Sequence, residues 1–412
     1  MRVSRRNQNI KTFQRSESVL RMKPFVDTVI ASDGRNLSEQ LRALKESLFP
    51  PLSQKTLRRF SSGEAARLIG VTDGYLRQLS IAGEGPQPDI GVGGRRSYTL
   101  PQVNELRRMM DLSKPEKWFV KHRKACDKLQ VIAVVNFKGG SGKTTTAAHL
   151  SQFLALQGYR ILAVDLDPQA SLTALHGFQP EFDVGPNETL YGAIRYDDHV
   201  RPLRDIIRKT YFDGLDLVPA NLELMEFEHD TPKALGEKRT GPLFFARVSE
   251  ALGTVQDDYD VVVIDCPPQL GFLTLGALCA ASGIVITAHP QMLDVMSMCQ
   301  FLLMTSDLLA VVRKAGGHLD YEFIRYLVTR YEPSDAPQTK MVAFMRSMFQ
   351  DRVLTHPMLK STAVSDAGLT KQTLYEVGRE FFTRSTYDRA IESLDAVNSE
   401  IEALIKTSWG RP

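Results

Sequence analysis

Ten consecutive residues, Phe137-Lys138-Gly139-Gly140-Ser141-Gly142-Lys143-Thr144-Thr145-Thr146, concentrate groups suited to holding a phosphate. Glycines let backbone N–H groups approach phosphate oxygens closely, and the N-terminus of a following helix adds its positive end. A lysine then neutralises the terminal phosphates and a hydroxyl ligates Mg2+. Lys143 and Thr144 stand where those two roles fall. Measured against G-x-x-x-x-G-K-S/T, Phe137 occupies the first glycine position and Lys138 is an added lysine inside the loop. A lone lysine is ordinarily a solvated surface charge, but inside a phosphate loop it lies within the field of the bound anion.

Two acidic motifs follow at the ends of apolar runs. The first is Ile161-Leu162-Ala163-Val164-Asp165-Leu166-Asp167-Pro168-Gln169, the second Val261-Val262-Val263-Ile264-Asp265-Cys266-Pro267-Pro268-Gln269-Leu270-Gly271. In an extended chain residues i and i+2 share a face, so Asp165 and Asp167 can both turn toward the phosphate end. Asp265 closes a run that reads as a buried strand. An unpaired buried carboxylate is costly, which makes a Mg2+ held through water the natural reason for it.

These groups need a scaffold that brings them together. Leu129 to Asn136, Arg160 to Asp165, Leu215 to Pro219, Tyr259 to Asp265, Gly283 to Ala288 and Tyr321 to Thr329 read as short apolar strands separated by helix-length segments. That alternation predicts an α/β fold with a mostly parallel twisted sheet flanked by helices, and the Gly-rich phosphate motif within it makes the expected class a P-loop NTPase. The 18 uncharged residues from Gly271 to Ala288 approach membrane-spanning length, but three Gly, two Thr and a Ser interrupt them. They read as a buried helix, Phe272 to Ala281, and the strand that follows, and no membrane segment is expected.

Charge divides the chain unevenly. Residues 1–129 carry 25 Lys and Arg against 13 Asp and Glu, a balance of +12, whereas residues 130–412 carry 26 against 35, a balance of −9. A basic first third suits a polyanion such as nucleic acid. The four cysteines, Cys126, Cys266, Cys279 and Cys299, match no paired metal-ligand spacing, and Met1 to Arg15 lacks the apolar core of a signal peptide, so a reducing cytoplasm is expected.

Within the basic third, Ala65, Ala66, Leu68, Ile69, Val71, Tyr75, Leu76 and Leu79 are spaced as two short amphipathic helices with Gly70 at the turn. This is a helix-turn-helix pattern whose second helix, about Thr72 to Ser80, would enter the major groove and offer Thr72, Asp73, Tyr75 and Arg77 to DNA. The Gly-rich stretch Gly91-Val92-Gly93-Gly94-Arg95-Arg96 then reads as a wing, with Arg95 and Arg96 on phosphates. Four segments result: residues 1–55, helical, where 37–45 has the spacing to pair with a second chain or to cap a core; a winged helix-turn-helix domain, 56–112; a linker, 113–128; and the nucleotide domain with C-terminal helices, 129–412.

The loop Lys138 to Thr146 resembles the deviant Walker A motif of the ParA/MinD family of dimeric ATPases. The resemblance implies that Lys138 reaches the partner subunit's ATP, that Asp167 orients the attacking water, and that Thr144, Asp165 and Asp265 serve Mg2+. Leu217 to Leu224 and Asp265 to Leu275 narrow the likeness to ParA-type plasmid partition ATPases over about residues 129 to 385. With the winged domain the chain most closely resembles the larger subclass, including the RepA proteins of repABC replicons, a winged group that also represses its own operon. ATP or ADP and Mg2+ are then the cofactors. Lys138, Gly139, Gly140, Ser141, Gly142, Lys143, Thr144 and Thr145 hold the nucleotide, and Thr329, Arg330 and Tyr331 frame its adenine. Lys138, Lys143 and Asp167 are the catalytic set.

The resemblance further implies a homodimer that, with ATP bound, coats DNA without sequence preference through basic residues near the C-terminus. Ala363 stands where that segment often has an arginine, leaving Arg352, Lys360, Lys371 and Arg384. A ParB/RepB-type centromere-binding protein would stimulate hydrolysis, and the protein would be cytoplasmic and associated with a bacterial nucleoid. A second reading is a repressor whose nucleotide only gates operator binding. The redox iron proteins that share the loop need cluster cysteines that Cys266, Cys279 and Cys299 do not match. A membrane oscillator needs a basic amphipathic end, which Asn398 to Pro412 lacks.

Overall fold

A computed structural model of the chain describes residues 26–48, 55–237, 241–317 and 319–411. The chain divides into two units, residues 1–54 and residues 55–412. In the first, one helix spans Val26–Leu48, and Val26, Ile30 and Leu37 are exposed along it at helical spacing. The remainder of the expected N-terminal region, residues 1–25 and 49–54, lies outside the described residues.

The second unit opens with a small winged module. Strands β1 (Phe60–Ser61), β2 (Asp89–Ile90) and β3 (Arg96–Tyr98) form an antiparallel sheet in the order β1-β3-β2. Helices Ser62–Ile69, Asp73–Ala82 and Leu100–Ser113 pack on it. The sequence dictates each start. Ser61 and Glu64 cap each other's backbone N–H groups, as Thr99 and Gln102 do, and the Thr72 hydroxyl accepts the Tyr75 N–H. Phe60, Leu76, Leu79, Tyr98, Leu100, Val103 and Leu106 fill the interior.

Residues 113–128 run as a strap held against the larger part of the unit. Asp111 accepts the Phe119 and Val120 N–H groups, Lys121 pairs with Glu402, and the Arg411 guanidinium lies over the Trp118 ring. The main sheet follows: β4 (Gln130–Val135), β5 (Ile161–Asp165), β6 (Arg208–Lys209), β7 (Leu215–Val218), β8 (Val261–Asp265), β9 (Gly283–Ala288) and β10 (Phe323–Val328). Its order is β10-β9-β4-β8-β5-β7-β6, parallel except at the β6 edge. The six parallel strands are those the apolar runs predict. The pair Arg208–Lys209 carries no apolar signal, and its strand state comes from pairing with β7 alone.

Because side chains alternate along a strand, β4 feeds two cores. Ile132 and Val134 join helix Lys143–Gln157, the C-terminal helix Arg384–Ser408 and the winged module, while Val131, Ala133 and Val135 join the helices of the opposite face. Helix Lys143–Gln157 has twelve buried residues, among them Leu150, Phe153 and Leu154. A fully buried large apolar side chain contributes about 1.5–3 kcal/mol, so this helix anchors the loop at its start. Helix Met292–Lys314 has the length and apolarity to cross a membrane, yet Met298, Phe301 and Val312 bury against the protein. Met292, Leu293, Met296, Leu303 and Met304 face outward.

Candidate functional site

Strands β5, β8 and β4 lie side by side, so their carboxyl ends gather the groups singled out above. Asp165 and Asp265 are register partners at the ends of β5 and β8, and β4 leads into the phosphate loop. In open parallel sheets this crevice beyond the strand ends is where ligands bind.

The loop is held open from within. Asn136 accepts the Lys138 N–H at 3.0 Å and donates to the Thr287 carbonyl. The Ser141 and Thr287 hydroxyls meet at 3.0 Å. Thr329, fully buried, donates to the Ser141 carbonyl at 2.7 Å. Gly142, at φ +89°, caps helix Lys143–Gln157 with a left-handed backbone that a side chain would strain, and it lies directly against Thr329. Arg330, also left-handed at φ +53°, extends its guanidinium over the loop to the Gly140 carbonyl at 3.2 Å. Thr329 is thus a brace beneath the loop, and the exposed Arg330 is the member of this pair free to meet a ligand.

Lys143 is 6 % exposed and donates to the Lys138 carbonyl at 3.2 Å. Burial pulls its pKa below the ordinary lysine range, while Asp265 and Asp167 oppose that shift. Thr144 and Thr145 follow, half-buried, on the first turn of the helix.

The carboxylates have different surroundings. Asp165 is wholly buried and saturated by protein donors: Thr173 N–H at 2.8 Å and hydroxyl at 2.7 Å to Oδ2, and Asp167 N–H at 3.2 Å to Oδ1. Burial first, with Asp167 adding to it, raises its pKa to about 7 against these bonds. Asp165 therefore braces the turn that carries Asp167 and does not itself offer free oxygens. Asp167 is half-buried, with Oδ1 accepting the Gln169 N–H at 2.9 Å.

Asp265 is the opposite case. It is fully buried, and neither carboxylate oxygen makes a hydrogen bond of good geometry among the described residues, the Thr144 hydroxyl being the donor beside it. Burial and then Asp165 push its pKa well above the carboxylate range, with Thr144 and Lys143 acting the other way. Two orphaned carboxylate oxygens beside a threonine hydroxyl are a hard, oxygen-rich donor set, and Mg2+ fits it.

Lys138 is half-exposed at the mouth, its Nζ on Asp294 Oδ1 at 2.6 Å. Asp294 opens helix Met292–Lys314, and His289 Nδ1 stands 3.6 Å from its other oxygen. Neither Asp294 nor His289 has a motif to reveal it in the sequence; the fold alone brings them to the loop.

The DNA-contact candidates also separate. On helix Asp73–Ala82, Arg77 is exposed and paired loosely with Asp73 at 3.7 Å. Thr72 is exposed at the cap, whereas Tyr75 packs against the core with Lys114 over its ring. Gln78 and Ile81, which the sequence reading passed over, are exposed on the Arg77 side. Arg95 is exposed on the wing, but Arg96 turns inward to the Ser80 hydroxyl at 3.2 Å. Near the C-terminus Lys360 pairs with Glu332 at 2.7 Å and Arg384 approaches Asp388 at 4.0 Å. Arg352 and Lys371 are exposed and make no ion pair among the described residues.

Residues 129–314 match the family model described as AAA domain. The chain is 56 % identical over 404 residues to a Rhizobium rhizogenes protein named "Putative replication protein A", covering 96 % of this chain and all of that one. It is 31 % identical over 370 residues to Protein SopA of Escherichia coli K12, covering 87 % of this chain and 92 % of that one. A solved structure titled "Partition Protein" shares the fold, with a TM-score of 0.65 at 19 % identity over 92 % of this chain and 98 % of that one. With the phosphate loop, the paired carboxylate strands and relatives matched along nearly their whole length, the chain belongs to the ParA family of partition ATPases.

Proposed function

We propose that this chain hydrolyses ATP as a DNA-segregation switch and that its winged module binds its own operator. The observation that carries the reading is the convergence of Lys143, Thr144 and the unpartnered Asp265 carboxylate at one end of three adjacent strands. Loop amides from Gly139 to Thr145 hold the phosphates of ATP, Lys143 neutralises their charge, and Arg330 closes over them. Thr144 and Asp265 are the residues that would hold Mg2+, which would supply positive charge against the terminal phosphates. Asp167 orients the attacking water, Asp165 fixes the Asp167 turn, and the proton passes to solvent.

Two copies facing one another at the loop mouth would let Lys138 leave Asp294 for the partner's nucleotide. The exposed Met292, Leu293 and Met296 beside that mouth supply apolar area for such closure. The closed dimer binds DNA without sequence preference through Arg352, Lys371 and Lys360, and a ParB-type partner triggers hydrolysis and release. Thr72, Arg77, Gln78 and Arg95 face the operator. Such a protein works in the bacterial cytoplasm at the nucleoid.

The test is binding of the full chain to a random-sequence duplex at fixed salt with ATP·Mg2+, with ADP·Mg2+ and without nucleotide, beside ATP turnover. Binding that appears only with ATP, together with turnover abolished in Lys143→Ala, is expected. Operator binding with no random-sequence binding in any state would overturn the segregation role and leave a nucleotide-gated repressor.

A further inference from the structure

Glu228 lies on helix Met225–Gly236, outside every motif considered so far. Its carboxylate spans to the neighbouring helix Phe272–Ala280 and accepts that helix's first two N–H groups, Phe272 to Oε2 at 2.9 Å and Leu273 to Oε1 at 2.9 Å. Amides at a helix start have no partner within the helix, and a charged acceptor there makes short, strong bonds. Gly271 permits the approach, since a Cβ at that position would stand 2.4 Å from Oε1.

The clasp fixes one end of a short loop. Cys266 to Leu270 joins Asp265, the orphaned carboxylate, to Gly271. At its near end the Cys266 N–H donates to the Val134 carbonyl of β4 at 3.2 Å. At its far end Glu228 holds it. The helix that carries Glu228 is itself tied to the other carboxylate strand. The Ala220 N–H just after β7 donates to the Thr173 hydroxyl at 2.9 Å, and that hydroxyl donates to Asp165 at 2.7 Å. A short run of chain from Ala220 to Glu228 thus links the Asp165 turn to the loop after Asp265.

Resting on the ATPase reading above, we infer that Glu228 is a positioning residue for phosphoryl transfer, its carboxylate setting the loop Cys266–Leu270 and with it the place of Asp265 beside the phosphate loop. Its loss would shift the Asp265 carboxylate without removing it, so turnover, which depends on accurate placement, should fall while affinity is nearly kept. Groups that hydrogen-bond a metal ligand directly are worth roughly 10- to 100-fold in activity, and Glu228, one loop further out, is expected at the lower end of that range.

In the full chain, Glu228→Gln is expected to lower kcat about tenfold with the ATP KM and the affinity for a Mg2+–ATP analogue held within about twofold. Gly271→Ala, whose methyl displaces the carboxylate, should do the same, and the double variant should be no worse than either single one because both break one clasp. Amide exchange of residues 266–273 is read in parallel and does not require turnover. Analogue-induced protection there that vanishes in Glu228→Gln supports the clasp. Wild-type kcat in both variants overturns it. So does a loss of kcat and affinity together with a lower thermal midpoint, which would make Glu228 a structural cap. A wild-type chain that binds the analogue without hydrolysing it would refute the ATPase reading instead, and the exchange data would then decide the clasp separately, protection unchanged in Glu228→Gln overturning it.

Discussion

Lys138 and Asp294 are joined across the mouth of the phosphate loop by an ion pair 2.6 Å long, the lysine half-exposed and the aspartate 7 % exposed. The pair holds at its own loop the lysine that the proposed dimer would send to its partner's nucleotide, so the two arrangements would compete. Asp294→Asn is expected to tighten ATP-analogue-driven self-association about fivefold, the scale of a partly exposed ion pair near 1 kcal/mol. Lys138→Ala should abolish that association while keeping ATP affinity within about twofold. Sedimentation at graded concentrations measures both, and equal dissociation constants in all three proteins would exclude the exchange.

Asp265→Asn separates stability from chemistry. The amide removes a buried carboxylate that has no well-formed hydrogen bond among the described residues and whose burial outweighs the help of Thr144 and Lys143, so the metal-free thermal midpoint should rise by a few degrees. The Mg2+-dependent part of ATP affinity should disappear, and turnover should fall about a hundredfold. Calorimetry with and without Mg2+ gives both quantities. A midpoint lower than wild type would mean that the carboxylate is paired within the fold.

Two buried histidines set an acid limit. Burial holds His149, on the phosphate-loop helix, and His176 at about 4, each with Nδ1 against a helix carbonyl. Unfolded, both would bind a proton near 6.5, so the stability their neutral forms confer is complete above that pH and is lost as pH falls toward 4. Between pH 6.5 and 5 each should lower unfolding free energy with a limiting slope of about 1.4 kcal/mol per pH unit. His149→Gln should remove about half of that dependence in urea titrations, and an unaltered profile would place the proton uptake elsewhere.

The two wing arginines are expected to behave differently. Arg95→Ala should reduce the salt slope of operator binding by about one, as loss of a single phosphate contact does. Arg96→Ala should leave that slope nearly unchanged and loosen the wing, because its guanidinium is on Ser80. Gln78→Ala should relax base preference by about 1–3 kcal/mol. Filter binding across salt concentrations and operator variants distinguishes the three.

What the sequence made legible was what local chemistry determines. Glycine spacing and a strand before a helix located the phosphate loop, and apolar runs ending in Asp165 and Asp265 located its neighbours. The sequence alone could not tell those two aspartates apart. Thr173 saturates one and leaves the other bare, and that depends on which residues the turn after β5 brings back. Asp294 and Glu228 were invisible for a related reason: each is an isolated acid on an ordinary helix until topology carries it to the loop. Tyr75 and Arg96 read as contacts because their types suit DNA, while packing against the module's own core and Ser80 turned them inward.

Arg107 ties the phosphate-loop helix to the winged module. This guanidinium, 2 % exposed, donates at 2.6 Å to the Leu68 carbonyl near the end of helix Ser62–Ile69 and at 2.6 Å to the Leu156 carbonyl at the far end of Lys143–Gln157. Fifteen residues make a rod of about 22 Å with the phosphate loop at one end and the winged module tied to the other. A tilt of about 5° at the loop would swing the Arg107 end by about 2 Å, more than half a base-pair rise. If the winged module reads an operator as proposed, the chain would be geared: a small change at a phosphate would become a displacement large enough to shift a DNA contact.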